Sequence, residues 1–315
     1  MPKPLARPGL EHMVAVSPAM TRVVEQIRHL APTRSTVLIH GEPGTGRSLV
    51  AHAIHLASPR REAPFIEVAS AAMPERLLAD ELLGVEGEGA GRPGLLERAH
   101  GGSLFVHRID EMPTSIQVHL LQALADREVV RQGSTERRRV ELRVMASTSS
   151  DLEDAVLAGR FRSDLFQRLS AVVVHLPPLR DRVQDIPLLA EAFLRDLNRE
   201  HHRRVSGLTR GVLERLMRHD WPGNVAELHA TLEGMMVFAR GKRSLDLSDL
   251  PPEWKASEGG RAALQIEVGM TLDEVERRLI EATLRETAYD KPRTASLLGI
   301  GLRTLYRKIQ RYRLS

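Results

Sequence analysis

TVLIHGEPGTGRSLVAHAIHL, residues 36–56, decides the fold. Its first five residues form a short apolar, β-rich run, and Leu49 to Leu56 spaces apolar residues at helical period. Between them, Gly41-Glu42-Pro43-Gly44-Thr45-Gly46-Arg47-Ser48 fits the phosphate-loop pattern G-x-x-x-x-G-K-[ST] at every position except the lysine. The glycines let the backbone curl until its N–H groups converge on phosphate oxygens, and the following helix adds its positive end. Strand, glycine loop and helix make one half of a βαβ unit. Gly41, Gly44, Thr45, Gly46, Arg47 and Ser48 are therefore the expected nucleotide-binding residues. Arg47 keeps the lysine's charge, but a planar guanidinium does not place a point charge between β- and γ-phosphates as an ammonium does. Ser48 still offers a hydroxyl.

The same alternation continues on both sides. SPAMTRVVEQIRHLA, 17–31, opens with Ser-Pro and has helical spacing, so a capped helix is expected. Residues 64–68, 103–106, 142–146 and 172–176 read as further strands. Strands alternating with helices predict a parallel sheet covered on both faces. After Pro177-Pro178 the β signal stops; residues 184–241 are helical in pattern, with WPGN, 221–224, as a turn. PPEWKASEGGRA, 251–262, has linker composition, and from Thr271 the chain is helical again.

A chain of 315 residues with 42% hydrophobic content can bury the cores of two or three domains. It has no cysteine, which excludes disulfides and thiolate metal sites. No apolar run approaches the roughly 18 residues of a membrane span, and MPKPLARPGL lacks a signal-peptide core, so a cytoplasmic protein with no membrane partner is expected. The net charge of +4 is unevenly placed: the last 26 residues hold seven basic side chains against Asp290, or +6. A basic C-terminal helical segment points to nucleic acid.

GGSLFVHRIDEM, 101–112, poses the question of chemistry. A strand that reaches the mouth of a phosphate-loop site ends in acids when the site holds Mg²⁺ and orients water. Here His107 and Arg108 stand at its end.

The chain resembles the AAA+ ATPase domain plus Fis-type helix-turn-helix of the sigma-54-dependent transcriptional activators. SPAM, VLIHGEPGTGRSLVAHAIH, GGSLF, GRFRSDLFQRL, LPPLRDRVQDIPLLAEAFL and WPGNVAELHATLE carry the resemblance from Val14 onward. It implies an α/β fold: a P-loop AAA+ parallel sheet with helices on both faces, an α-helical lid, and a C-terminal all-α helix-turn-helix domain. The expected organisation is a disordered tail at 1–10, an AAA+ core at 11–178, the lid at 179–250, a linker at 251–270 and the DNA-binding domain at 271–315.

The departures from the family pattern are as informative. Where the family reads GGTLFLDEI, the Mg²⁺-holding aspartate aligns with His107 and the water-positioning glutamate with Arg108. Asp110 and Glu111 are not expected to replace them, and strand alternation would aim Asp110 away from His107. The asparagine after the FVAVN-type strand aligns with Ala69, the sensor asparagine with Ser149, and the sensor arginine of WPGNVREL with Ala226. Arg162 and Arg168 match the arginines that act across the subunit boundary. Two carboxylates replaced by an imidazole and a guanidinium move the site from −2 to +1. At ~5 Å and an effective dielectric near 20, each unit charge is worth about 3 kcal/mol, so Mg²⁺ is opposed. No catalytic residue and no metal site are expected, with ATP at most a static ligand. The family's sigma-54 contact loop, ELFGHEKGAFTGA, corresponds to residues 81–93, which keep ELLG, then shorten and lose the aromatic–threonine tip.

At the C-terminus, residues 290–299 read as a short helix closed by Gly299, Ile300-Gly301-Leu302 as the turn, and Arg303 to Ile309 as the opening of a second helix, similar to the Fis-type SRAARLLGISRRTLYRKL. Arg303, Thr304, Arg307 and Lys308, with Arg293 and Lys291, are the expected contacts to double-stranded DNA. Leu298, Ile300, Leu305 and Ile309 are the expected small core. The helix Leu272–Thr287 is expected to mediate dimerisation, beside a further AAA+ ring.

The resemblance thus implies a DNA-binding regulator built on a pseudo-ATPase, independent of sigma-54 remodelling and controlled by a protein partner, a nucleotide or abundance, since no receiver or sensor domain is seen. The alternatives are an atypical ATP-driven sigma-54 activator, and a protein that joins and inhibits rings of active relatives.

Overall fold

The computed structural model describes residue 10 and residues 13–70, 73–87, 91–239, 244–251, 270–287 and 289–312. The expected tail and linker fall almost wholly outside them. The chain divides into two units, 1–247 and 248–315.

In the first unit, apolar runs that lack polar alternation pair side by side. β1 (Val37–His40), β2 (Phe65–Ala69), β5 (Ser103–His107), β8 (Arg143–Thr148) and β9 (Val173–His175) form one sheet in the order β2-β5-β8-β1-β9, every pair parallel. Such a sheet needs cover on both faces. Val37, Ile39, Phe105 and Met145 pack with buried residues of α1 (Pro18–Leu30) and α2 (Arg47–Leu56). Their strand neighbours Leu38, Leu104, Val106, Val144 and Ala146 face the opposite way. There they pack with α3 (Glu75–Leu83), α4 (Leu95–Arg98), α5 (Thr114–Ala125), α6 (Leu152–Leu157) and α7 (Ser163–Leu169). The period of two along each strand thus divides one apolar run between two cores.

Local chemistry sets the helix ends. Ser17 caps α1, its Oγ accepting from the Met20 N–H at 3.3 Å, with Pro18 in the first turn. At the other end of α1, buried Arg143 donates to the carbonyls of Leu30, Ala31 and Ser35 at 2.8–3.2 Å, and burial lowers its pKa to about 10.

Two small antiparallel pairs were not expected. β3 (Gly84–Val85) pairs with β4 (Arg92–Pro93), and β6 (Glu128–Val130) with β7 (Arg137–Arg139). They escape pattern reading because two- and three-residue strands carry no periodicity. The shortened loop is bound to the second hairpin: Val85 bridges Gln132, the Glu86 N–H donates to the Gln132 carbonyl at 2.9 Å, and Arg131, beside Glu86, grips Glu97 through two bonds of 2.7 and 2.8 Å.

Beyond β9, a 3₁₀ segment (Leu179–Asp185) leads to α8 (Ile186–Glu200), α9 (Arg210–Arg218) and α10 (Asn224–Phe238). Trp221, fully buried, anchors the turn between the last two, its indole N–H donating to the Leu216 carbonyl at 2.8 Å.

The second unit holds α11 (Leu272–Glu286), α12 (Lys291–Leu297) and α13 (Leu302–Tyr312). Asp290 caps α12, accepting from the Arg293 N–H at 3.1 Å, and Gly299 takes the left-handed conformation (φ +65°) that ends it. Ile280, Leu284, Ala295 and Leu305 form the core, with Leu298, Ile300, Ile309 and Tyr312 packed against it. Among the described residues no helix is long and apolar enough to cross a membrane.

Candidate functional site

The glycine loop leaves β1 at His40 and turns into α2 with Gly44 at φ +79° and Gly46 at φ +105°, conformations that favour glycine. The loop is closed from above by α10. A Cβ on Gly44 would lie 2.1 Å from the Gly223 carbonyl oxygen, and the Ala226 N–H donates to the Gly44 carbonyl at 3.3 Å. Asn224 Nδ2 donates to Glu42 and to the Pro43 carbonyl, both at 3.0 Å, while Arg180 holds Glu42 through two bonds of 2.6 and 2.9 Å. Buried Arg182 donates to the Thr45 carbonyl at 2.8 Å. The lid is therefore latched onto the phosphate loop.

Between loop and lid lies a cavity of about 390 Å³, lined by Gly44, Gly46, Arg47 and Ser48 from the loop and by His107, Arg108 and Ser147 from the strand ends. Phe193, Val225, Ala226 and His229 close its lid side. Four of the six expected loop residues thus face the cavity. Gly41 and Thr45 do not line it: Gly41 approaches Leu176 too closely to hold a side chain without adjustment, and the Thr45 hydroxyl donates to the Glu42 carbonyl at 2.8 Å. The Arg47 guanidinium turns back to donate to the Gly41 carbonyl at 3.1 Å. Burial lowers its pKa, nearby Asp110 opposes that and Arg108 reinforces it.

The end of β5 is occupied by internal pairs. His107 Nε2 lies 2.7 Å from one oxygen of Glu67, and His52 Nε2 2.8 Å from the other. Arg108 leaves the strand in a left-handed conformation (φ 50°, ψ 55°) and pairs with Glu111. Ser70 Oγ secures this turn, donating to the carbonyls of His107 at 2.5 Å and Arg108 at 2.8 Å. The expectation that alternation governs Asp110 is corrected here, because the strand ends at His107 and a 3₁₀ turn, Ile109–Glu111, follows. One Asp110 oxygen accepts from Ser150 Oγ at 2.8 Å; the other is buried and has no hydrogen-bond partner. The net +1 expected from sequence is corrected too, since Glu111 offsets Arg108 and Glu67 joins His107.

Of the remaining aligned positions only Ala226 lines the cavity. Ala69 sits opposite His107 in the β2–β5 register, Ser149 follows β8, and Ala226 offers only its backbone to the loop. Arg162 and Arg168 are exposed on α7 and its N-cap. Arg162 is paired with Asp164 through bonds of 3.0 and 2.7 Å, and Arg168 reaches the Leu124 carbonyl at 3.5 Å.

Glu67, His52, Glu42, Arg180 and Asn224 were not anticipated. A Glu inside a strand, FIEVA, was the available signal for Glu67. Bonds from His107 and then His52 hold the Glu67 carboxyl at about 2, and bonds from Arg180 and then Asn224 do the same for Glu42. Both lie below the ordinary 4.5, so each pairing adds stability above pH 4.5 that is lost as pH falls toward 2. Their side chains are 40% and 39% exposed, so solvent screening leaves about 1 kcal/mol each. Urea midpoints should therefore fall between pH 4.5 and 2.5, and Glu67→Gln and Glu42→Gln should each flatten that slope.

In the second unit, Arg293, Arg303 and Arg307 are exposed, whereas Thr304 is half-buried. Lys291 sits over the Tyr306 ring, 5.1 Å from its centroid. Lys308 does not point outward: its side chain is 20% exposed and its ammonium pairs with Glu276 of α11 at 2.5 Å, because the Leu305–Ile309 face must turn inward to the core.

Comparison with known proteins extends this picture. Residues 13–175 match the Sigma-54 interaction domain, 180–266 the AAA+ ATPase lid domain, and 271–312 the bacterial regulatory protein, Fis family. The transcriptional regulatory protein ZraR of Salmonella typhimurium is 39% identical over 308 residues, covering 95% of this chain and 68% of that protein. The regulatory protein AtoC of Escherichia coli is 39% identical over 316 residues, covering 96% and 68%. The crystal structure of NtrX from Brucella abortus in complex with ADP superposes with a TM-score of 0.75 at 31% identity, covering 97% of this chain and 70% of that one.

Proposed function

Because the chain belongs to the sigma-54-dependent transcriptional regulator family, with its AAA+ module, lid and Fis-type DNA-binding segment, we propose that it regulates transcription from DNA without hydrolysing ATP and without remodelling sigma-54 holoenzyme. The observation that carries this reading is the end of β5. His107 and Arg108 occupy the positions where acids would face the cavity, and Glu67 and Glu111 are each engaged by them. The shortened loop at 84–93, tied to the β6–β7 hairpin, supports the second half of the reading.

ATP fits the loop as a static ligand. Arg47 and Ser48, at the N-terminus of α2, line the cavity, and a relative of known structure, NtrX, was crystallised with ADP and with ATP. The end of β5 does not suit Mg²⁺, which takes carboxylate and phosphate oxygens, because Glu67 and Glu111 there already hold the His107 imidazole and the Arg108 guanidinium. Equilibrium titration should give ATP binding that EDTA leaves unchanged, with no phosphate release. Binding that requires Mg²⁺, or open-complex formation at a sigma-54 promoter in a purified system, would overturn the reading.

One observation favours the alternative of an atypical ATP-driven activator: the buried, unpartnered oxygen of Asp110 close to Arg47. If Asp110 supplies the missing acid, turnover will be measurable and Asp110→Asn will abolish it. Exposure of Arg162 and Arg168 supports self-association or joining rings of active relatives, and exposed Leu272 and Leu279 on α11 support a C-terminal dimer. Working on DNA, the protein belongs in the cytoplasm.

A further inference from the structure

The outward surface of α13 carries two parallel rows. Arg303 and Arg307 form one, and Leu302, Tyr306 and Gln310 form the other, each residue four positions from the next. Leu302 is 41% and Tyr306 47% exposed, although the helix has a buried face of its own in Leu305 and Ile309. The second half of the helix is tied inward, with Lys308 on Glu276, Arg311 on Asp273 at 2.6 Å, and the Tyr312 hydroxyl on Glu276 at 2.7 Å. What remains free is the first half, the part of a recognition helix that reaches base edges.

We propose that Leu302 and Tyr306 form an apolar reader of thymine methyl groups in the major groove, flanked by Arg303 and Arg307. The inference rests on the DNA-binding reading above and adds a specificity to it. Neither side chain brings a charge to a phosphate, and the apolar feature that a B-form major groove offers is the C5-methyl group of thymine. Arginines one position further along suit guanine O6 and N7. The Lys291 ammonium over the Tyr306 ring fixes the ring from the side of α12 and leaves a cation where the preceding helix crosses the backbone. Arg293, also exposed, extends that cationic edge. Charge complementarity therefore selects DNA as the occupant of this apolar pair.

The test uses the full chain. Duplexes selected from a random pool define the preferred site, and each thymine in it is then replaced by deoxyuridine, which lacks only the methyl group. At one or two positions per half-site the replacement should weaken wild-type binding about five-fold, the lower end of a single base-pair change. Leu302→Ala or Tyr306→Ala should bind thymine and deoxyuridine sites equally, with unchanged thermal unfolding and salt slope, whereas Arg307→Ala should retain the methyl effect. Tyr306→Phe should retain it as well, because the ring and not the hydroxyl makes the contact. A methyl effect that persists in both alanine variants, or that is absent at every thymine, overturns the inference while leaving DNA binding intact. Loss of self-association in the alanine variants without a methyl effect would assign the pair to a second copy of the chain, and would also overturn it. Failure to bind any duplex would remove the DNA-binding reading itself.

Discussion

Replacing Asp185 with alanine is expected to destabilise the first unit by about 5 kcal/mol, the largest single-residue effect anticipated for this chain. The Asp185 carboxylate is fully buried and accepts three bonds: from the Val16 N–H at 2.8 Å, the Ser17 N–H at 2.7 Å and Ser17 Oγ at 2.8 Å. A hydrogen bond to a charged group contributes about 1.5–3 kcal/mol, less the desolvation that alanine would relieve. The loss is enlarged because Asp185 also balances Arg182, which is buried, has an unpartnered Nε and holds the Thr45 carbonyl of the phosphate loop. Without Asp185, a buried cation stands uncompensated. Thermal unfolding should shift by about 10–20 °C at roughly 2–4 °C per kcal/mol. Ser17→Ala removes one of the three bonds and should shift it by only a few degrees. If Asp185→Ala unfolds within a degree or two of the wild type, the strut between the N-terminal segment and the phosphate loop has no energetic importance.

Gly44→Ala should undock the lid. Left-handed backbone costs an alanine about 1–2 kcal/mol, and here the new Cβ would also lie 2.1 Å from the Gly223 carbonyl oxygen. Backbone meeting backbone has no cheap escape, so α10 must withdraw. The Ala226–Gly44 and Asn224–Pro43 bonds go with it, for a total of about 3–4 kcal/mol. Faster proteolysis of residues 179–247 and loss of ATP binding are the expected readouts. Gly101→Ala provides the control: its φ of +77° is nearly the same, but its Cβ would meet nothing within 4 Å, so only the backbone cost should appear. Equal effects at the two glycines would show that the lid does not bear on Gly44.

The boundaries of the larger elements were legible because each is written locally. Ser17-Pro18 marks a helix start, residues 103–106 leave no polar face, and the glycines at 44 and 46 sit where the backbone needs them. The starts of the C-terminal helices were read to within a residue for the same reason, Gly299 closing one and Leu305 and Ile309 setting the inward face of the next. The hairpin at 128–139 was missed because its strands are three residues long, one of them, Arg137–Arg139, has no apolar position, and Glu86 and Glu97, which pair with Arg131 of its turn, come from other segments.

The sequence by itself determined that a glycine loop of phosphate-loop pattern follows a buried strand, that His107 and Arg108 follow the apolar run 103–106, and that residues 290–312 hold a basic pair of Fis-type helices. These are properties of spacing and residue type over short stretches, and short stretches suffice to state them. Only the tertiary structure decided what those residues touch. Glu67 meets His107 because β2 and β5 lie side by side in a register that pairs Ala69 with His107, while His52 reaches the same carboxylate from α2. Lys308 turns to Glu276 because packing of Leu305 fixes the rotation of α13. A side chain's charge is fixed by its identity, but its counter-ion depends on which strands become neighbours and how each helix is rotated. Both are settled by burial of the cores, far along the chain from the residues concerned.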